Sequence, residues 1–325
     1  MGIFFSSKVN STGTTVPTIN ESTTNQTIAA SSLKHISKYI MLVVSVMGIV
    51  TNSVLILVVL IDPLKQLRAA KSTVIIVSLS LADLLTSLAA LFYFVPVIQL
   101  SERALLIRAI SLWFGFSASL LNLFVFTFER FIVTLYPLRA KLIISYRRTA
   151  FACLTSWIVG AAIAVTDHLI EKPLTYMFRI VQVGFFEFLV VVMVVLNIRI
   201  ILSIRKHTSQ MNGELFNKES SKRLRKMNAV LSTLVIVLII TTMPYLVTKQ
   251  VWNLLVWCET TPFRYLPCKV SLIPKLGVFL SLFLPIGMIN FLVNPIVYAW
   301  RLDIYRASAL ALFSKKLRRR GQSTT

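Results

Sequence analysis

Phe128-Glu129-Arg130-Phe131-Ile132-Val133-Thr134-Leu135-Tyr136-Pro137-Leu138 closes a long apolar run with an adjacent acid and base. Such a pair at a membrane edge is costly unless the helix end uses it. Farther along, a second apolar run ends Asn294-Pro295-Ile296-Val297-Tyr298, where a proline removes a backbone donor. In that order, each at the end of a hydrophobic stretch, the two elements mark a switch more than a scaffold.

The 325 residues are 56% hydrophobic and 14% charged, with a mean hydropathy of +0.77. A soluble domain of this length seldom hides so much apolar surface behind so few charges, so the membrane is the natural solvent. The formal charge of +22 invites a nucleic-acid reading. The basic residues, however, bunch between apolar runs instead of covering polar faces, which fits membrane topology and no nucleic acid. Three cysteines are too few for a disulfide framework, and His35, His168 and His207 are scattered. With no HExxH, GxSxG or P-loop either, neither an enzyme nor a resident cofactor is expected.

Apolar stretches long enough for a crossing of ~20 residues fall at about 39–61, 72–98, 104–136, 149–169, 177–204, 227–257 and 272–300. In lipid these must be helices, because an open strand edge has no partner there. The predicted fold is an all-α, seven-transmembrane helix bundle over 39–300. A Ser-, Thr- and Asn-rich tail over 1–38 precedes it, too polar to build a core. A short amphipathic helix and basic tail over 301–325 follow.

Lys and Arg set the orientation. Arg139, Lys141, Arg147, Arg148, the Lys222–Lys226 cluster and the Lys315–Arg320 cluster all follow odd-numbered spans. Those segments are therefore expected in the cytoplasm, with the N-terminus outside and the protein multi-pass in the plasma membrane. Sequons at Asn10, Asn20 and Asn25 agree, since glycosylation belongs to the exterior. No cleavable signal is evident, and the first span is expected to act as the insertion signal.

The chain resembles the rhodopsin-like (class A) G-protein-coupled receptors across all seven spans. The residues that carry the resemblance are Asn52 in span one, Leu81-Ala82-Asp83 in span two and Glu129-Arg130-Phe131 with Pro137 at the end of span three. Trp157 in span four, Pro244 in span six, Asn294-Pro295-Ile296-Val297-Tyr298 in span seven and Tyr305-Arg306 beyond it complete the set. The resemblance implies a receptor that binds an extracellular ligand and activates a heterotrimeric G protein as helices six and seven move. It implies that Glu129 holds Arg130 until Arg130 is released for coupling, with arrestin and receptor kinases as further partners.

The physics of single residues stands beside the name. Asp83 is an ionisable group inside an apolar span and needs a partner. Asn290 and Asn294 are four apart, on one face of a helix, and Ser119 brings a hydroxyl from span three. The resemblance places Asp83, Ser119, Asn290 and Asn294 around a buried sodium ion, whose hardness suits oxygen ligands. A hydrogen-bonded polar knot with water is the other reading. Pro244 and Pro295 loosen their helices and are either hinges or plain kinks.

The chain departs from the family in several places. Leu105 stands where a disulfide cysteine is usual, and span five has no proline, with Leu196-Asn197 in place of a tyrosine. Leu224 leaves no acid at the start of span six to latch Arg130, so a weakly latched resting state is expected. Cys258 and Cys268 bracket the last outer loop and either bond to each other or stay free thiols. With the short second outer loop, these features resemble the melanocortin, adenosine, cannabinoid and lysophospholipid receptor cluster.

Leu112 replaces the amine-binding aspartate and Met288 the retinal lysine, so neither ligand is expected. Tyr93, Arg108, Leu112, Trp113, Gln182, Glu187 and Lys249 line the outer thirds of the helices as candidate ligand contacts. A cationic, aromatic mouth suits an acidic lipid or peptide; alternatively, Arg108 and Lys249 only reach lipid headgroups. A non-coupling decoy on the same fold is the runner-up to a coupled receptor. The basic tail is expected to lie against membrane lipid.

Overall fold

The computed structural model describes residues 21–68, 70–92, 101–170, 174–210, 218–260 and 270–322. These form α1 (Glu21–Ile61), α2 (Thr73–Leu91), α3 (Glu102–Leu135), α4 (Pro137–Ile143) and α5 (Tyr146–Leu169). α6 (Leu174–Gln210), α7 (Lys218–Thr260), α8 (Ile273–Arg301) and α9 (Asp303–Gln322) follow, with a 3-10 turn at Val270–Leu272. No strand occurs among the described residues.

Seven segments are long and apolar enough to cross a membrane: Ser31–Ile61, Thr73–Leu91, Glu102–Leu135, Tyr146–Asp167, Leu174–Lys206, Leu224–Thr260 and Ile273–Arg301. The chain is a multi-pass membrane protein. Its helices form a closed ring in which α1 touches both α2 and α8, α7 packs on α8, and α6 on α7. α3 is the hub, in contact with α2, α4, α5, α6 and α7. At ~1.5 Å per residue α3 runs about 50 Å, longer than the ~30 Å apolar thickness of a bilayer.

Lipid tails are as apolar as leucine, so burying leucine does not draw these helices together; close packing and buried polar contacts do. Apolar side chains such as Phe151, Val181, Phe188 and Ile240 accordingly face outward. Small residues let backbones approach. A Cβ on Gly115 would lie 2.4 Å from Thr86 Oγ1 and 2.8 Å from the Thr86 backbone nitrogen. One on Gly160 would lie 3.0 Å from the Ala118 nitrogen. Phe126, Phe186, Met193 and Tyr298 fill the centre.

Helix ends follow local chemistry. Ser101 caps α3 by accepting from the Ala104 N–H at 3.3 Å, and Ser145 caps α5 through the Arg148 N–H. Pro137 opens α4 where its missing donor costs nothing. Between α8 and α9 the buried Leu302 turns extended (φ −104°, ψ 106°) and redirects the chain. Tyr305 and Ser308 then seat one face of α9 against the bundle.

One element begins earlier than the sequence pattern suggests. Helix α1 starts at Glu21 instead of near residue 39, so part of the stretch read as a structureless tail is helical. Elongating a formed helix adds one hydrogen bond per residue and avoids nucleation. The apolar part of α1 therefore carries its polar leading turns, and Ser37 is buried with its hydroxyl donating to the Ser281 carbonyl of α8.

Candidate functional site

α2 presents Asp83 inward at 0% exposure. Its Oδ1 accepts from Ser119 Oγ of α3 at 2.5 Å and its Oδ2 from Asn294 Nδ2 of α8 at 2.7 Å. No basic side chain among the described residues pairs with it. Asn290 lies one turn from Asn294 and is 3% exposed. The Oδ1 atoms of Asn290 and Asn294 have no partner. Asn52 ties α1 to this region, its Nδ2 donating to the Gly48 and Phe291 carbonyls, each at 2.9 Å. Of the three residues expected around Asp83, Ser119 and Asn294 bond to it directly, and Asn290, one turn from Asn294, has an unmet oxygen.

At one end of the bundle Glu129 and Arg130 form an ion pair, 6% and 9% exposed. Thr149 Oγ1 of α5 donates to Glu129 Oε2 at 3.5 Å, and the guanidinium stands 5.6 Å from the Phe126 ring centre. The buried Nε of Arg130 has no partner. Phe131 stacks on Phe128 and meets Tyr136 edge-on, so it packs the helix end while Pro137 starts the next helix.

Three contacts here went unrecognised in the sequence. Asn228 Nδ2 of α7 donates to Thr134 Oγ1 of α3 at 3.1 Å. Ser232 Oγ of α7 donates to Asn197 Oδ1 of α6 at 2.9 Å. Lys226 of α7 pairs with Asp303 of α9. Leu224 offers no acid, as the sequence shows, yet this end of α7 is held to three neighbours by other means. The available signal was the four-residue spacing of Asn228 and Ser232, which puts two small polar groups on one α7 face.

Pro244 lies inside α7 and Pro295 inside α8, with Pro285 as a further interruption of α8. Tyr298 is wholly buried with its hydroxyl unpartnered, its ring 6.3 Å from that of Tyr305. Tyr305 shares a 3.1 Å hydrogen bond with Thr73. Burial pushes its hydroxyl up to about 12 despite that bond, so it stays protonated at neutral pH.

Toward the opposite end lies a small, partly open apolar cavity, lined by residues that include Leu112, Trp113, Phe116, Tyr245, Met288 and Phe291. Of the expected contacts, Leu112 and Trp113 line it, and Arg108, Gln182, Glu187 and Lys249 do not. Trp113, Phe116, Tyr245 and Phe291 make the lining aromatic, and the cations stand outside it. Arg108 donates to the Phe92 carbonyl at 3.5 Å, Lys249 lies 4.4 Å over the Trp252 ring, and Glu187 is half-buried on α6. Tyr93, Asn10, Asn20 and Cys268 lie outside the described residues, and Asn25 falls in the first turns of α1. Cys258 is not a free thiol, and Cys153 is the buried free one.

A ring of seven apolar helices, a buried carboxylate at its centre, a caged arginine at one end and an apolar cavity toward the other define a seven-helix membrane receptor. The family model of seven-transmembrane receptors (rhodopsin family) matches residues 51–179 and 170–298, and the chain belongs to that family. No curated protein matches the chain.

Proposed function

We propose that this receptor sits in the plasma membrane with its N-terminus outside and passes the binding of an extracellular ligand to a heterotrimeric G protein. The single observation that carries the reading is the arrangement around Arg130. The arginine is held by Glu129, beneath an α7 end whose polar ties to its neighbours include two neutral hydrogen bonds and one exposed ion pair. The basic segments share that end, which fits a cytoplasmic face.

Opening that end moves α7 away from α3, α6 and α9 and breaks the Asn228–Thr134, Ser232–Asn197 and Lys226–Asp303 contacts. Two neutral hydrogen bonds and an exposed ion pair are together worth on the order of 1–4 kcal/mol. Allosteric coupling energies are typically 1–3 kcal/mol, so a ligand in the cavity commands enough free energy to shift the balance. Pro244 sits between the cavity residue Tyr245 and the closed end, where a missing backbone bond lets α7 bend.

Asp83 supports a sodium ion as allosteric modulator. Its carboxylate, the Ser119 hydroxyl and the unmet Oδ1 atoms of Asn290 and Asn294 form an oxygen set suited to a hard monovalent cation. When bound, the ion supplies the positive charge that the chain itself does not place beside Asp83. Cys258 is proposed to bond Cys268, closing an outer loop worth about 2–3 kcal/mol. Ser323, Thr324 and Thr325 are proposed acceptors for receptor kinases, with arrestin reading the product.

The test is nucleotide exchange by a panel of purified G proteins with the receptor in lipid nanodiscs. Exchange above that of empty nanodiscs for at least one G protein is expected. A correctly folded receptor that leaves every G protein at the background rate would point to a non-coupling decoy.

A further inference from the structure

Buried polar atoms without partners call for a water, an ion or a ligand, and one group of them lies on the outer halves of α6 and α7. Asn253 is 0% exposed, and neither its Nδ2 nor its Oδ1 has a partner. Three residues earlier, Gln250 spends its Nε2 on the Ile180 carbonyl of α6 at 3.2 Å, leaving its Oε1 unmet. Gln182 of α6 is 5% exposed with its Nε2 unmet. Lys249, four residues before Asn253 and on the same face, has no carboxylate at ion-pair distance among the described residues. The charges that act on it are Arg179 and Asp167, which already pair with each other at 2.6 and 3.1 Å. The group therefore carries one net positive charge. One helical turn below Lys249, Tyr245 lines the apolar cavity.

These atoms specify a chemistry. Lys249, Asn253 Nδ2 and Gln182 Nε2 need acceptors, while Asn253 Oδ1 and Gln250 Oε1 need a donor. A bare carboxylate supplies acceptors only. An anion with an N–H beside it meets both needs, and an acyl chain attached to that N–H leads toward the cavity. We infer that the ligand is a monoanionic acylated amino acid, its head bound by Lys249, Gln250, Asn253 and Gln182 and its tail packed against the apolar side chains of Leu112, Trp113, Tyr245 and Met288. This rests on the reading of the chain as a receptor for an extracellular ligand. It makes Asn253 and Gln182 specificity-determining residues in place of Arg108.

The test uses the full chain in phosphatidylcholine nanodiscs without G protein and measures binding of radiolabelled N-lauroylglycine. Competitors are laurate, which lacks the N–H, and N-lauroylglycine methyl ester, which lacks the anion. Saturable binding of N-lauroylglycine is expected, with both competitors at least about tenfold weaker, the equivalent of one charge-assisted hydrogen bond. Lys249→Met weakens N-lauroylglycine by a similar factor. Asn253→Leu weakens it too, while raising the ligand-free melting temperature, because two unmet polar atoms are removed. Laurate binding as tightly as N-lauroylglycine overturns the inference. So does an Asn253→Leu variant that melts lower and binds normally, since Asn253 is then a structural residue satisfied by water. Absence of saturable binding to folded receptor overturns it as well. Ligand-free nucleotide exchange by the same preparation separates the two readings. Exchange without binding refutes only the ligand class, and binding without exchange refutes only the coupling.

Discussion

Replacing Asn228 with leucine removes one hydrogen bond that holds the closed end of α7, and its consequence is calculable. Asn228 is 2% exposed and Thr134 5%, so neither side chain has ready access to water in the closed form. Their bond, Nδ2 to Oγ1 at 3.1 Å, is neutral and of ordinary length, which makes it worth about 0.5–1.5 kcal/mol. Leucine also removes the unmet Oδ1 of Asn228, which offsets part of the loss by relieving a buried orphan. If the closed form is favoured by a few kcal/mol, losing this bond enriches the open form about two- to tenfold. The assay is ligand-free nucleotide exchange at matched receptor concentration, where the Asn228→Leu rate should rise by that factor. Thr134→Val should raise it similarly, and the double variant should add little, since both remove one shared contact. Unchanged exchange in Asn228→Leu, or two effects that simply add, would refute the claim that this bond holds α7 closed.

Other consequences follow from contacts elsewhere in the bundle. Gly115→Ala places a methyl 2.4 Å from Thr86 Oγ1 and 2.8 Å from the Thr86 nitrogen, an overpacking of about 1–3 kcal/mol seen as a lower melting temperature in detergent. Adding Thr86→Ala restores only part of it, because the backbone contact remains. Asp83→Asn should abolish any effect of sodium, compared with choline, on exchange or thermal stability; sodium sensitivity surviving in that variant would place the ion elsewhere. Asp62→Ala should cost about 1–3 kcal/mol of stability, because its carboxylate accepts from the Gln66, Leu67 and Arg68 N–H groups at 3.1 to 3.2 Å. Burial pushes the Asp62 carboxyl up, but those three bonds and the Arg68 charge outweigh it and hold it below its usual value. Its stabilising effect is therefore full above the usual carboxylate range and fades as acid protonates the folded form, a loss the alanine variant should not show.

The helices that cross were legible because lipid leaves the backbone no alternative, so length and hydropathy decide each element. Glu129, Arg130, Asp83, Ser119 and Asn294 were legible for a related reason: an ionisable or polar group inside an apolar run has no cheap role there. The Asn228–Thr134 and Ser232–Asn197 bonds were not, because each joins residues of ordinary polarity on separate helices, and rotation about a helix axis is invisible in one chain. Which side chains line the apolar cavity was legible only in part. Leu112 and Trp113 reach the cavity, but hydropathy cannot tell Arg108, which reaches a neighbouring carbonyl, from a residue that faces a ligand. The early start of α1 was hidden because its leading turns carry Ser, Thr and Asn, whose weak helix preference is overridden once the apolar part is formed.

On the proposed reading, the Arg130 end of α7 swings away from α3 when a G protein binds. Spin labels at Leu142 of α4, 80% exposed, and at Arg225 on the exposed face of α7 report that motion directly by pulsed double electron–electron resonance. The distance distribution is expected to lengthen by about 5 Å or more, on the order of one helical turn, when nucleotide-free G protein is added to ligand-bound receptor. An unchanged distribution in a sample where the G protein demonstrably binds would contradict it.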